Sequence, residues 1–281
     1  MIEFTKMHGL GNDFVMINDL TEKVAQPSKL AKEMCDRNFG VGADGLVLIL
    51  PADKKDADYR MRIFNPDGSE PEMCGNAIRC FAKYLYEREL TQKTNLKVET
   101  LAGIIKPEVI LNEQGQVDLI KVDMGEPILA RNSIPMTGEK QAQVVAEDLV
   151  VEDKTFSVTC VSMGNPHCII FVDDVEKIDI KKWGSKIEVH ERFPADINVE
   201  FVEVLTPQEL KMRVWERGAG ITLACGTGAS ATLVAAVLNE LSDRKATVKL
   251  LGGDLVIEWA DNNRVYMSGP ATEVFTGQWK L

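Results

Sequence analysis

What the sequence lacks narrows its function first. It has no basic excess: 32 Lys and Arg stand against 43 Asp and Glu, a formal net charge of −11. That argues against non-specific nucleic-acid binding, which needs a positive surface to neutralise phosphates. It has no apolar run approaching the ~20 residues of a membrane-spanning helix. Its start, MIEFTKMHGLGND, has no long apolar signal-peptide core. Neither nucleic acid nor membrane is therefore expected as a partner, and the cytoplasm is the expected location. The six cysteines (Cys35, Cys74, Cys80, Cys160, Cys168, Cys225) include no CxxC pair of the kind that holds zinc. In a reducing compartment they are expected to stay thiols rather than build a disulfide framework. There is no low-complexity segment. What is present is ordinary for a globular protein, with 45% hydrophobic and 27% charged residues in a chain of 281, long enough for two domains with real cores.

The most informative stretch runs from Arg62 to Tyr86. Met61, Ile63 and Phe64 read as a short strand. Asn65-Pro66-Asp67-Gly68 is a strong turn signal, because Pro presets φ and Asp-Gly tolerates positive φ. After Cys74-Gly75-Asn76, apolar Ala77, Ile78, Phe81, Ala82 and Leu85 recur at helical spacing, so Cys74 is predicted at a helix N-terminus. The unit occurs twice. Met61/Met212, Arg62/Arg213, Cys74/Cys225 and Gly75/Gly226 share one offset of 151, which predicts a duplicated domain with one thiol from each half.

The remaining segments echo this repeat. KMHGLGND followed by FVMI in the first half matches VSMGNPH followed by CIIFV in the second. Asn12 and Asn165 are 153 apart, as are Gly45 and Asn198, and both of the latter are expected in loops after a helix. Pro27 to Asn38 is helix-like. Thr100 to Gly103 and Leu250 to Gly253 read as paired hairpin turns. Short strands dominate, with one clear helix after each cysteine. The predicted fold is α/β of the α+β type: two pseudo-symmetric domains, each a curved, mostly antiparallel sheet or barrel wrapped around a central helix. The expected division is residues 1–117 plus 271–281 carrying Cys74, and 118–270 carrying Cys225. The last strand-like piece returns to the first domain, and the active site lies in the cleft between the two.

A thiol at a helix N-terminus is expected to have its pKa of ~8.5 lowered by first-turn N–H groups, and those same groups can hold a carboxylate. Two such thiols facing one ligand suit inversion at a carbon next to a carboxylate. One thiolate removes the α-hydrogen and the opposite thiol returns a proton to the other face, while fixed donors stabilise the charge that develops on the carboxylate oxygens. No cofactor or metal is needed. A proline or hydroxyproline racemase would use the same two-thiol logic. The alternatives of another class are a thiol-redox protein, in which Cys74 and Cys225 form a disulfide, and a two-lobed amino-acid-binding protein. Cys35, Cys80, Cys160 and Cys168 read as core residues, and His8 and His190 as loop residues.

At FNPDGSEPEMCGNAIRC, MGNPHC, ERGAG and ACGTGA, and over most of its length, the chain resembles the diaminopimelate epimerase family. The resemblance implies cofactor-independent conversion of LL- to meso-2,6-diaminopimelate by Cys74 and Cys225, in lysine and peptidoglycan precursor synthesis, and a homodimer. It further implies substrate contacts at Asn12, Asn65, Gly75, Asn76, Asn165, Asn198, Glu216, Arg217, Gly226 and Thr227. Arg217 can fork onto a distal carboxylate, which a proline racemase would not need. His167 and Glu216 are candidates for setting thiol protonation. Some family members carry glutamine where this chain has Gly45, so that contact is absent here or replaced by backbone.

Overall fold

The structure, a computed structural model, describes residues 1–280. In chain order the strands and helices are β1 (Ile2–Gly9), β2 (Asn12–Asn18), α1 (Pro27–Cys35), β3 (Gly45–Pro51), β4 (Tyr59–Phe64), α2 (Gly75–Glu87), β5 (Val98–Thr100), β6 (Gly103–Ile105), β7 (Glu108–Leu111) and β8 (Val117–Asp123). They continue as β9 (Val144–Val151), β10 (Lys154–Ser162), β11 (Pro166–Phe171), α3 (Ile180–Glu188), β12 (Asn198–Thr206), β13 (Glu209–Glu216), β14 (Gly220–Ile221), α4 (Gly226–Leu238), β15 (Lys245–Leu250), β16 (Gly253–Trp259), β17 (Val265–Gly269) and β18 (Thr272–Trp279). The chain forms two compact units, one of Met1–Asp123 with the segment from Ser268, the other of Met124–Met267. The first division falls after Asp123 rather than after residue 117, because β8 runs unbroken to Asp123 and packs on α2. The second falls at 267/268 rather than 270/271.

In the first unit the sheet order is β18-β1-β2-β3-β4-β5-β6. Only β2–β3 and β4–β5 pair in parallel. Strand β3, GLVLILP, is buried along almost its whole length, and its near-continuous apolar run is what two covered faces require. On one face Leu46, Leu48 and Leu50 join Leu30, Ala31 and Met34 of α1 in a core with Phe4, Val15, Ile17 and Phe64. Helix α2 packs against β1, β2, β3 and β4 of the sheet and against the β7–β8 hairpin, so the strands wrap it.

The second unit repeats the plan. Its strands run in the order β17-β16-β15-β13-β12-β11-β10-β9, with β14 on β13, and β11–β12 and β13–β15 are its parallel pairs. One face carries a core of Phe156, Val158, Cys160, Cys168, Ile170, Val199 and Phe201 against Trp183 and Ile187 of α3. Helix α4 packs against β10, β11, β12, β13, β15 and β16. It is buried on all sides from Gly228 to Ala236, hence its nearly all-apolar sequence. The repeat holds at the level of register: Phe14 pairs with Gly45 across β2–β3, and His167 pairs with Asn198 across β11–β12. Both pairs sit 153 apart.

Two local expectations are corrected. His8 lies inside β1, paired with Asp13, and the break in this hairpin shrinks to Leu10 and Gly11, both at positive φ (58° and 85°), as a two-residue turn of the I′ type demands. Gly45 and Asn198 are the first residues of β3 and β12, not loop residues, because each follows a parallel crossover and is captured at once by its neighbour. Helix α3 (Ile180–Glu188) is the helix expected ahead of Asn198 in the second half. Gly184 at its centre weakens the helical pattern, yet a Cβ there would stand 2.6 Å from the Cβ of Trp215, so close packing demands the glycine.

Candidate active site

Each motif cysteine is the N-cap of a 13-residue helix, Cys74 of α2 and Cys225 of α4. Both have extended backbone (φ −142° and −128°), and neither helix has an acidic residue in its first turn. First-turn N–H groups without a side-chain carboxylate partner are the usual setting for an anion.

Around Cys74 the first unit gathers Asn12 and Asn76. The Sγ of Cys74 lies 3.8 Å from Asn12 Oδ1, which also accepts from Asn76 Nδ2 at 3.0 Å. Asn12 Nδ2 donates to Asp44 Oδ2 at 2.8 Å. The amide of Asn12 is thereby fixed at both ends, with its oxygen toward the thiol. Asn76 is buried and its Oδ1 has no hydrogen-bond partner among the described residues. Asp44 in turn is held with Asp13 by Arg37. Burial alone would raise the Asp13 carboxyl, but bonds from Arg37 and Lys6 outweigh it and hold the group at about 2. Asn65 is not in this cluster: its Nδ2 donates to Ser69 Oγ at 2.9 Å, within the turn after β4.

The second unit is more acidic around its thiol. Cys225 is buried, accepts from the Gly228 N–H at 3.4 Å and lies 3.5 Å from Thr227 Oγ1. The expected lowering by the helix start does not prevail. Burial pushes the Cys225 thiol well above the ordinary range, and the carboxylates of Glu216 and Glu200 add to it, outweighing the opposing bonds from Thr227 and Gly228. Glu216 is bonded to the Thr222 hydroxyl. His167 is fully buried between Glu200, at 2.7 Å from Nδ1, and Asn165, at 3.1 Å from Nε2. Asn198 Nδ2 donates to the Pro166 carbonyl at 2.7 Å, and its Oδ1 accepts the Arg217 N–H at 2.9 Å. The exposed Arg217 side chain rests on the Ala195 carbonyl at 2.8 Å. Gly45 offers no side chain, and a Cβ there would meet the Phe64 carbonyl at 3.1 Å.

Four participants escaped the sequence reading: Asp44, Glu200, Thr222 and Gly228. A Cβ on residue 228 would lie 2.7 Å from Glu200 Oε1 and 3.3 Å from Cys225 Sγ, so the glycine lets a carboxylate reach the helix start. The repeat itself held the signal for Glu200, since its counterpart in the first half is Val47. Among the described residues no cluster of three or more His, Cys, Asp or Glu has the grouping of a metal site, and no helix is long and apolar enough to cross a membrane.

Two helices, each wrapped by a mostly antiparallel sheet, define a fold shared by a group of solved proteins. A phenazine biosynthesis protein of the PhzF family from Bacillus anthracis superposes with a TM-score of 0.73 at 19% identity, covering 100% of this chain and 99% of that one. A hydroxyproline epimerase from Agrobacterium vitis gives 0.67 at 14% identity, covering 98% and 91%. At these identities the likeness is one of fold. Within that fold class the chain belongs to the diaminopimelate epimerase family. The family's model matches residues 4–130 and 159–274, and a diaminopimelate epimerase from Heliobacterium modesticaldum is 55% identical over 100% of both chains.

Proposed function

We propose that this protein is an isomerase that interconverts LL- and meso-2,6-diaminopimelate by moving a proton between the two thiols and one α-carbon. The observation that carries the reaction is the full-length identity of 55% to a diaminopimelate epimerase. The geometry supports the residue roles. Cys74 and Cys225 each cap a helix whose first turn holds no acidic side chain. The helix starts at Gly75-Asn76 and Gly226-Thr227 grip the reacting carboxylate. One sulfur, as thiolate, takes the α-proton, and the C–H electron pair delocalises into the carboxylate. The other sulfur, as thiol, delivers its proton to the opposite face, leaving the centre inverted and the two sulfurs with their protonation states exchanged. Preorganised N–H donors at such an oxyanion are worth about 3–4 kcal/mol each. Asn12, Asn65, Asn165, Asn198, Glu216 and Arg217 contact the substrate, with Arg217 reading the distal carboxylate that proline lacks.

The test is incubation with diaminopimelate in D₂O. Wild type incorporates α-deuterium, and Cys74→Ala and Cys225→Ala each slow incorporation by at least about 100-fold, the usual contribution of one general acid or base. Undiminished exchange in either variant sinks the two-thiol assignment. A thiol-redox protein would turn over a dithiol without exchange, and a binding protein would show only ligand-induced stabilisation. From the family resemblance we also take a cytoplasmic homodimer as the working form. Sedimentation velocity at the monomer mass alone would refute the dimer, and recovery of the protein outside the cytoplasmic fraction would refute the location.

A further inference from the structure

Glu200 stands on β12 with its side chain fully buried. Its Oε1 lies 2.7 Å from His167 Nδ1, and its Oε2 has no hydrogen-bond partner among the described residues. A buried carboxylate that is only half satisfied costs stability, and the fold does not require it. The positions of the first half that correspond to His167 and Glu200 are Phe14 and Val47, buried at 2% and 0% exposure. The same scaffold thus closes with apolar residues where no such pair is present.

The ring of His167 faces oxygen on both sides, Glu200 Oε1 at Nδ1 and Asn165 Oδ1 at Nε2. A neutral imidazole carries one N–H, so with oxygen facing both ring nitrogens both can donate only when one further proton is shared with Glu200. It sits either on the ring, giving imidazolium and carboxylate, or on Glu200, whose O–H then donates to Nδ1. Both forms are neutral overall, and both place a proton on Nε2. We propose that Glu200 is a positioning residue: by sharing this proton it fixes the His167 Nε2–H on Asn165 Oδ1, which turns the Asn165 amide N–H₂ toward a carboxylate oxygen of the substrate. The inference rests on the reading of Asn165 as a substrate contact. The Asn165 amide nitrogen makes no protein hydrogen bond among the described residues, so its donors are available to a ligand. Without Glu200 the neutral ring can hold its proton on Nδ1 and offer the Nε2 lone pair, and the Asn165 amide then reverses, presenting oxygen where a donor is needed. The titratable groups facing Glu200 are His167 and Cys168 on β11, Glu216 on β13 and Cys225 at the start of α4.

Ring ¹⁵N spectra of the histidine-labelled protein test the proton directly, since the chain has three histidines. One ring must show an Nε2–H at neutral pH, and that signal must weaken in Glu200→Leu, where nothing fixes the tautomer. Kinetically, Glu200→Leu should raise KM for diaminopimelate about tenfold, the scale of one lost hydrogen bond at a charged group, with kcat moving less. Glu200→Gln can donate to Nδ1 as the acid form does, so it should stay within about threefold of wild type. Asn165→Ala should raise KM similarly, and the double variant with Glu200→Leu should be no worse than Asn165→Ala alone, because the two act in series. A bare Nε2 in wild type, or additive losses in the double variant, overturns the proposal. If Glu200→Leu fails to fold, the wild-type spectrum and Glu200→Gln still decide. Absence of α-deuterium exchange in wild type would sink the epimerase reading alone and leave the ring spectrum to judge Glu200.

Discussion

The two motif cysteines are alike in sequence and differ in surroundings. Cys74 lies against the Asn12 amide, while buried Cys225 lies beside the carboxylates of Glu216 and Glu200. The helix start that would favour thiolate is overruled in the second half, so Cys225 is held as a thiol. Thiolate absorbance near 240 nm, taken as the difference between wild type and Cys225→Ser, should therefore show no contribution from Cys225 below about pH 9, above an ordinary thiol's midpoint. Glu216→Gln should move that titration down, because it removes one of the carboxylates that oppose ionisation. A thiolate already present at neutral pH would contradict this account. The placement of both cysteines at helix starts was legible from their spacing to Ala77, Ile78 and Phe81 and from the repeat. The acidity of the second site was not. NVEF on β12 reads like any strand with an outward glutamate, and only the cover of α4 on that face makes Glu200 a buried carboxyl group.

A symmetric device supports the two cysteine loops at the scale of elements. The tip of the β5–β6 hairpin donates from the Ala102 N–H to the Glu72 carbonyl at 3.3 Å, and the tip of the β15–β16 hairpin donates from the Gly252 N–H to the Leu223 carbonyl at 2.9 Å. In each half the accepting carbonyl lies two residues before the capping cysteine. Gly253, paired with Leu250, closes the second hairpin at φ +134°, a conformation in which a Cβ is strained by about 1–3 kcal/mol. Gly253→Ala should thus lower stability by that amount and speed amide hydrogen exchange at 222–225 more than in the β10–β11 pair. Equal exchange in both places would mean that the hairpin does not brace the loop. The two hairpins were visible in the sequence through Thr100–Gly103 and Leu250–Gly253. Their contacts with the cysteine loops were not, because backbone-to-backbone bonds leave no side-chain pattern. The same reason hid the true extent of β3 and β12, whose first residues are fixed by parallel neighbours rather than by their own propensities.

Thiols are spread through the cores of both units of the molecule. Burial pushes Cys35 and Cys80 up to about 12 each. Cys168 is raised by its hydrogen bond with Cys160 and by burial, and Cys225 by burial and its acidic neighbours. In the unfolded chain all four ionise near the ordinary cysteine value of about 8.5. Between that value and about 12 the unfolded state releases protons that the native state retains, so stability is full below about pH 8.5 and falls as pH rises. Cys35 and Cys80 alone contribute a loss of about 1.4 kcal/mol each per pH unit in that window. Urea unfolding midpoints should accordingly be level from pH 7 to 8 and drop steeply by pH 10. Cys35→Ala, though less stable at neutral pH because it leaves a small cavity, should show a shallower alkaline slope by one thiol's share. A midpoint that stays level to pH 10, or a slope unchanged in Cys35→Ala, would mean that these thiols ionise within the folded protein and that its cores admit charge more readily than their burial implies.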